Sequence, residues 1–375
     1  MTKNNIIVFF DVTASNINRI ILPIVNILSK RKHNKIIILT EKIINQKQIK
    51  KDKFLDAPQF LNFNDILRKP TKKHDLFFVT FGYRIPDLYF TYQFKKRGFK
   101  TIQVQHGMYK DFLKRSITGY FLDLNRKFYY LKKTIFFLKK FDPVIFLYLI
   151  NKDFIKSYTI NTIIKKNQSK LEKIKSDSVF IWGESWRQWF IDNHFYTNES
   201  NFEVIGNPDF HKFIYQKKVI SVNVCYIAQT FCEDGRMSKN DYVRIIQDLS
   251  KKFKKDLYVK LHPRSNVSLY SAVEENGGKL GYQYPTASMY IGHYSSLFAL
   301  ALNSESKVVL IKVNNEEIPD YFKNNADYYF ESYTNFLEQE HFKRKKTKRS
   351  IDKFFKNTTT PTNEIISNLI QNAIR

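Results

Sequence analysis

Cysteine is almost missing: Cys225 and Cys232 are the two in 375 residues. That excludes a disulfide framework and a cysteine-based zinc site, and it points to a reduced, cytosolic protein. Glycine is also scarce, 11 residues in all, where about 7% is usual. Neither G-x-G-x-x-G nor G-x-x-x-x-G-K-[ST] occurs, which argues against dinucleotide and P-loop phosphate binding of the usual kinds. Asp-x-Asp is absent too; many sugar transferases use that pair to hold a nucleotide diphosphate through a divalent cation. Long apolar runs are lacking. The first, Ile6–Phe10, stops at Asp11 and is too short for a signal-peptide core. The longest, Val144 to Ile150, falls far below the roughly 18 to 20 residues that span a bilayer. A soluble or peripheral protein is expected.

What is abundant is positive charge. Lys and Arg number 62 against 35 acids, a formal +27. Such a surface seeks nucleic acid, an acidic bilayer face, or phosphorylated and carboxylated substrates. No helix-turn-helix, zinc finger or RNP-type motif is present, so nucleic acid is not expected as a partner. Hydrophobic residues at 43% and aromatics at 16% are enough to build cores, and the length suits two domains.

Short β-branched and aromatic runs alternate with amphipathic stretches. Ile6–Phe10, Ile36–Leu39, Leu76–Val79 and Ile102–Val104 read as buried strands. Ile17, Ile20, Ile21, Ile24, Ile27 and Leu28 fall at helical spacing, with Ser15 or Asn16 as N-cap. Strands resume at Val179–Trp182 and Phe202–Ile205. A second series follows at Asn223–Ala228, Leu257–Leu261, Met289–Gly292 and Val308–Ile311, with helices at Asp241–Phe253 and Leu297–Asn303. This alternation predicts an α/β fold with two Rossmann-like halves, 1–215 and 216–375, facing across a cleft and joined by a polar linker near Gln216–Ser221. Between residues 114 and 175 the pattern becomes helical and basic, with 15 Lys and Arg against 4 acids. The tail from Lys343 to Arg349 holds six basic residues and precedes a last helix, Thr362–Ile374.

Three motifs in the second half fall at strand ends, where ligands bind in open α/β sheets. Glu233-Asp234-Gly235 follows the Cys225–Ala228 strand. A carboxylate there can deprotonate a hydroxyl, although Asp-Gly alone also reads as a turn. Lys260-Leu261-His262-Pro263-Arg264 follows the next strand. Pro263 holds His262 extended, so the ring can meet a leaving phosphate, with Lys260 or Arg264 adding charge; a surface histidine before a turn is the plainer reading. Gly292-His293-Tyr294-Ser295-Ser296 precedes a helix, and its hydroxyls suit either an anion or simple capping. Three such motifs in consecutive units would converge.

These motifs resemble the acidic-acidic-Gly, His-Pro and paired-Ser motifs of bacterial sialyltransferases. Order and spacing are most similar to the lipooligosaccharide sialyltransferase family and next to the polysialyltransferases. The motifs cover about 75 residues of the second half. The resemblance implies a GT-B fold and a CMP-activated sialic or related nonulosonic acid as donor. It also implies an inverting transfer that needs no metal or other cofactor. Glu233 or Asp234 would be the base; His262 would stabilise the departing CMP phosphate. Ser295 and Ser296 would hold that phosphate, with Gly235, Lys260, Pro263 and Arg264 completing the donor side. A donor such as CMP-Kdo, CDP-glycerol or a UDP-sugar fits the same fold.

The N-terminal half offers Gln105-His106-Gly107 at the end of a strand. Gln-His-Gly turns of this kind occur in surface-polysaccharide transferases, which makes His106 an acceptor-side candidate, beside the reading as a core-edge histidine. Trp182-Gly183-Glu184 and Gly206-Asn207-Pro208 read as architecture. The basic aromatic stretch 114–175 fits either an element lying on an anionic membrane face or a solvated helical pair. The expected setting is the cytoplasm, peripheral on the inner membrane face, with a glycan as acceptor.

Overall fold

The computed structural model describes residues 5–11, 16–30, 34–40, 59–62, 75–82, 84–108, 135, 143–150, 158–194, 196–210, 220–313, 317–345, 349–356 and 358–373. It divides the chain into two units. One runs to His106, resumes through His211, and regains the tail from Lys356; the other is centred on Lys212–Phe355.

The first unit is built on seven parallel strands: β1 (Asn5–Phe10), β2 (Asn34–Thr40), β3 (Gln59–Asn62), β4 (Asp75–Thr80), β5 (Lys100–Val104), β6 (Ser178–Ile181) and β7 (Asn201–Val204). Their order is β3-β2-β1-β4-β5-β6-β7. Strand β1 reads NIIVFF and is buried along its whole length, as a central strand covered on both faces must be. It pairs in parallel with β2, Phe10 opposite Leu39, and with β4, Phe10 opposite Thr80. The chain therefore leaves β1 in opposite directions, toward β2 and later toward β4. Such a switch point opens a crevice at the carboxyl ends.

The second unit has six parallel strands: β8 (Ser221–Ile227), β9 (Leu257–Lys260), β10 (Lys279–Gly281), β11 (Thr286–Gly292), β12 (Lys307–Ile311) and β13 (Tyr328–Phe330). Their order, β10-β9-β8-β11-β12-β13, puts the switch between β8 and β11. The helix Lys239–Phe253 starts where Ser238 Oγ accepts from the Asp241 N–H (3.1 Å), a side-chain cap on an otherwise unpaired donor. Its face Tyr242, Ile245, Ile246 and Leu249 packs on Tyr226, Val259 and Ile291 of the sheet.

The alternation read from the sequence thus corresponds to real strands, with three corrections. The short strands β3, β10 and β13 were not anticipated; they carry few β-branched residues and stand at or beside sheet edges. Of the two expected caps, Ser15 lies outside the described residues and Asn16 makes no side-chain cap bond. A π-turn, Ile17–Ile21, precedes the α-helix Leu22–Leu28, and Asn16 Nδ2 donates instead to Asp11 Oδ2 (3.1 Å). The last helix, Thr362–Asn372, was placed with the second half (216–375), yet it packs on the Leu22–Leu28 helix of the first unit. Its apolar positions Ile366 and Ile370 are buried, and an amphipathic face does not announce which unit it will cover. The tail enters where Lys356 N donates to Trp182 O (3.0 Å). Gly206 lies there at φ +77°, and a Cβ would stand 2.8 Å from the Lys356 carbonyl oxygen, so a side chain is excluded.

The expected boundary near 215 lies outside the described residues, as does the linker but for Ile220 and Ser221. Much of the basic stretch 114–175 lies outside them too. Within it the helices Pro143–Ile150, Tyr158–Lys166 and Gln168–Leu171 are described. Among the described residues no helix is long and apolar enough to cross a membrane.

Candidate active site

In the second unit the three motifs follow three laterally adjacent strands. Glu233-Asp234-Gly235 lies beyond β8, His262-Pro263 beyond β9, and Ser295-Ser296 beyond β11, with β8 in the middle. The acidic loop is a tight coil. Asp234 N donates to Thr230 O (3.0 Å), Gly235 N to Cys232 O (3.0 Å) and Arg236 N to Phe231 O (2.8 Å). Gly235 takes φ +65°, a left-handed conformation that glycine adopts without steric cost.

That coil separates the two acids. Asp234 is bound by Arg264, whose Nη1 lies 2.9 Å from Oδ1, and by the Thr230 hydroxyl at 2.7 Å from Oδ2. Arg236 adds a longer contact at 3.6 Å. Partial burial opposes ionisation of Asp234, but the bonds from Arg264 and Thr230 and the two arginine charges outweigh it. They hold the carboxyl below its ordinary value. Glu233 is engaged on one side alone: Oε1 accepts from Asn266 N (2.7 Å), while Oε2 is buried without a hydrogen-bond partner. Both acids therefore tie the β8 loop to the β9 loop.

The His-Pro turn is closed by Ser265. His262 N donates to Ser265 Oγ (3.1 Å), and Ser265 N to His262 O (2.9 Å). His262 Nδ1 accepts from Arg264 N (3.1 Å), so in the neutral ring the proton sits on Nε2. Pro263 and Arg264 are exposed. Lys260 is interior, 5% exposed, and its ammonium donates to the Leu261 carbonyl (2.6 Å). Ser295 Oγ accepts from Phe298 N (3.2 Å) and so caps the five-residue helix Phe298–Leu302; Ser296 is half-buried beside it. The hydroxyl loop joins the acidic loop through Gln229 Nε2, which donates to Tyr294 O (3.2 Å).

Beneath the loops runs a buried polar chain that sequence reading missed. His293 Nδ1 lies 2.8 Å from the Ile311 carbonyl, which can only accept, so this nitrogen carries the proton. Nε2 is then the acceptor for the Tyr226 hydroxyl at 2.9 Å. Tyr242 meets Tyr270 at 2.9 Å, and Tyr270 meets Ser265 at 3.4 Å. Burial raises the phenol pKa of Tyr226, Tyr242 and Tyr270 alike, so all stay neutral. The only signal in the sequence was tyrosine on strands and helices predicted to be buried.

The first unit has its own constellation at its switch point. Asp11 follows β1 and is fully buried. Arg84 opens the helix Ile85–Lys95 in a capping box with Asp87. Its Nε and Nη2 reach Asp87 Oδ2 and Oδ1 (2.6 and 3.0 Å), and Nη2 reaches Asp11 Oδ2 (3.3 Å). Burial would lower the arginine pKa, but the two carboxylates overcome it and raise it. Thr80 Oγ1 donates to Asp87 Oδ1 (2.8 Å), and a Cβ on Gly82 would stand 2.7 Å from Asp87 Oδ2. Arg19 joins Asp209 Oδ2 (3.4 Å) to the His106 carbonyl (3.2 Å). Burial, then the Arg84 charge, push the His106 pKa down to about 4, so the ring is neutral at physiological pH. Gln105 accepts from Trp182 N and Trp182 Nε1 donates back to its carbonyl, both at 2.8 Å; Trp182 is architectural. The Arg84-Ile-Pro-Asp87 capping pattern was the readable signal here.

No protein-family model and no curated protein sequence matches the chain. Solved structures do. The UDP-GlcNAc 2-epimerase from Methanocaldococcus jannaschii is similar over 98% of this chain and 99% of its own, at 12% identity and a TM-score of 0.50. The H548A variant of the wall teichoic acid polymerase TagF is similar over 99% of this chain and 89% of its own, at 12% identity and a TM-score of 0.51. The class is α/β, with the GT-B fold. Identities this low speak of fold, and an epimerase and a polymerase sharing it show that fold does not choose the reaction.

Proposed function

We propose that the protein is an inverting glycosyltransferase that moves sialic acid, or a related nonulosonic acid, from a CMP-activated donor to a hydroxyl of a bacterial surface glycan. The observation that carries this reading is the placement of the acidic, His-Pro and paired-Ser motifs on the adjacent strand ends of β8, β9 and β11, at the switch point of the second unit. The GT-B fold supports sugar-nucleotide chemistry in general. The motifs and the absence of Asp-x-Asp support a CMP donor handled without a metal.

Glu233 is the base in this reading. Asp234 is held ionised by Arg264 and Thr230 and serves as an anchor, whereas Glu233 Oε2 has no hydrogen-bond partner to give up. The base takes the acceptor proton, the acceptor oxygen bonds to the anomeric carbon, and the bond from that carbon to the phosphate oxygen breaks. CMP leaves with the bonding electrons. His262 Nε2–H, Arg264 and the Ser295 and Ser296 hydroxyls stabilise the charge that collects on its phosphate. The interior position of Lys260 limits it to supporting that charge from below. His106 belongs to the acceptor side. The basic stretch 114–175 attaches the enzyme to the anionic cytoplasmic membrane face.

Transfer from CMP-sialic acid to lipooligosaccharide or capsule acceptors, followed by chromatography, tests the assignment. Glu233→Gln and His262→Ala should each lower turnover about 100-fold or more while the melting curve holds. Undiminished turnover in either variant overturns the role given to that residue.

A further inference from the structure

The turn that carries His262 is held from two sides. On its outer side Glu233 Oε1 accepts from Asn266 N (2.7 Å), and Arg264 reaches Asp234 Oδ1 and Thr230 Oγ1 (2.9 and 3.1 Å). The donor chemistry draws on these same groups: Glu233 takes up a proton, and Arg264 turns to the phosphate. On its inner side the turn rests on the hydroxyls of Tyr242 and Tyr270. Both residues are 0% exposed, and their rings meet edge to face at 5.9 Å, so solvent does not compete for their bonds.

The direction of each inner bond follows from what its partners can donate. The Gln229 carbonyl can only accept, so Tyr242 Oη donates to it (3.2 Å). Tyr242 has one hydroxyl proton, which makes Tyr270 the donor across the 2.9 Å contact between them. The Tyr270 oxygen is left to accept from the Ser265 hydroxyl at 3.4 Å, the longest step. Ser265 Oγ in turn accepts from His262 N (3.1 Å). Every step points from the His-Pro turn toward the β8 loop. Gln229 carries the connection on, since its Nε2 donates to Tyr294 O (3.2 Å), one residue before Ser295.

We infer that Tyr242 and Tyr270 are positioning residues for His262: their hydroxyls transmit the register of the β8 loop to the His-Pro turn and keep it while the outer ties are exchanged. The kinetic consequence rests on the transferase reading above; the placement of the ring does not. A relay that fixes the ring acts chiefly in the transition state, when charge collects on the phosphate, and little on resting donor affinity.

Full-length wild type, Tyr270→Phe, Ser265→Ala, their double variant and Tyr290→Phe are compared. Tyr290 is the control, a buried phenol whose hydroxyl donates to Pro285 O (2.6 Å), just before β11 and so at the opposite edge of the sheet. Ring-nitrogen NMR at about pH 8, where an ordinary imidazole is neutral, reads the tautomer of His262; the signal lost in His262→Ala identifies it. Wild type should hold the proton on Nε2, because Nδ1 accepts from Arg264 N. Tyr270→Phe and Ser265→Ala should move the ring toward a mixture of tautomers, and Tyr290→Phe should not. In transfer from CMP-sialic acid the first two should each lower kcat about fivefold, with donor KM changed less than about twofold. The double variant should lose no more than the worse single one. An unmoved tautomer or an undiminished kcat in folded Tyr270→Phe overturns the positioning role. So does an equal loss in Tyr290→Phe, or a double variant whose losses multiply. A tautomer shift in Tyr270→Phe but not in Tyr290→Phe, where even wild type transfers nothing from CMP-sialic acid, would uphold the relay and sink the donor reading alone.

Discussion

In the first unit Asp87 is fully buried and holds Arg84 through two nitrogens, with Asp11 behind it. In the second unit Asp234 is 28% exposed and its partner Arg264 61% exposed. The residue types are the same and so is the position, a loop at the carboxyl edge of a parallel sheet. What differs is water. In the first group both carboxylates have lost their solvent and depend on Arg84, which keeps 34% of its side chain exposed, so loss of a partner is costly for the acids. In the exposed pair solvent screens the attraction, and Arg264 can exchange a carboxylate for a phosphate at small cost. One pair is shielded on its acidic side, the other open to solvent.

The sharpest way to break this contrast is Asp87→Ala. It leaves Arg84 with Asp11 alone and removes the acceptor of Thr80, so unfolding stability should fall by about 2 kcal/mol, measured in urea. A loss under about 1 kcal/mol would mean that the first pair is no more structural than the second.

A smaller effect follows from His106. Its pKa lies below the ordinary 6.5, at about 4, so between those values the unfolded chain binds the proton and the folded chain does not. Its contribution is therefore complete above pH 6.5 and is lost as pH falls toward 4. Replacing His106 by Gln should flatten that part of the stability profile. Identical slopes in variant and wild type would contradict the burial argument.

The smallest change is expected at Asp234→Asn. An exposed pair contributes little, so stability should move by no more than about 1 kcal/mol. The carboxyl is held below its ordinary 3.8, so this contribution persists above that pH and fades only as pH falls through the folded value. A loss as large as that of Asp87→Ala would erase the distinction between the two units.

The residues themselves carried much of the architecture. A central strand such as β1 announces itself as an uninterrupted β-branched and aromatic run, Ile6–Phe10, because both faces are covered. Edge strands such as β3 and β10 do not, since a QFLN or KLG segment gains its conformation from the neighbour it pairs with. The strand-end position of the three motifs was legible for the same reason as the strands. Their division of labour was not. Nothing in the string Glu233-Asp234 says that one acid meets an arginine 30 residues away while the other keeps an unbonded oxygen. Lys260 reads from the sequence as a charge offered to the leaving phosphate; its interior position goes with the β9 register, opposite Ile227. The Asp11–Arg84–Asp87 cluster joins residues 73 positions apart, and only the β1–β4 pairing brings them together.

The most direct test of the account is nucleotide binding by the second unit's three loops. Melting temperatures of wild type and Arg264→Ala should be compared with CMP, CDP, UDP, UMP and GDP, without added metal. CMP should raise Tm most in the wild type, by mass action on the native state, and the gain should shrink in the variant. A larger response to UDP or CDP, or an undiminished CMP response in folded Arg264→Ala, would contradict it.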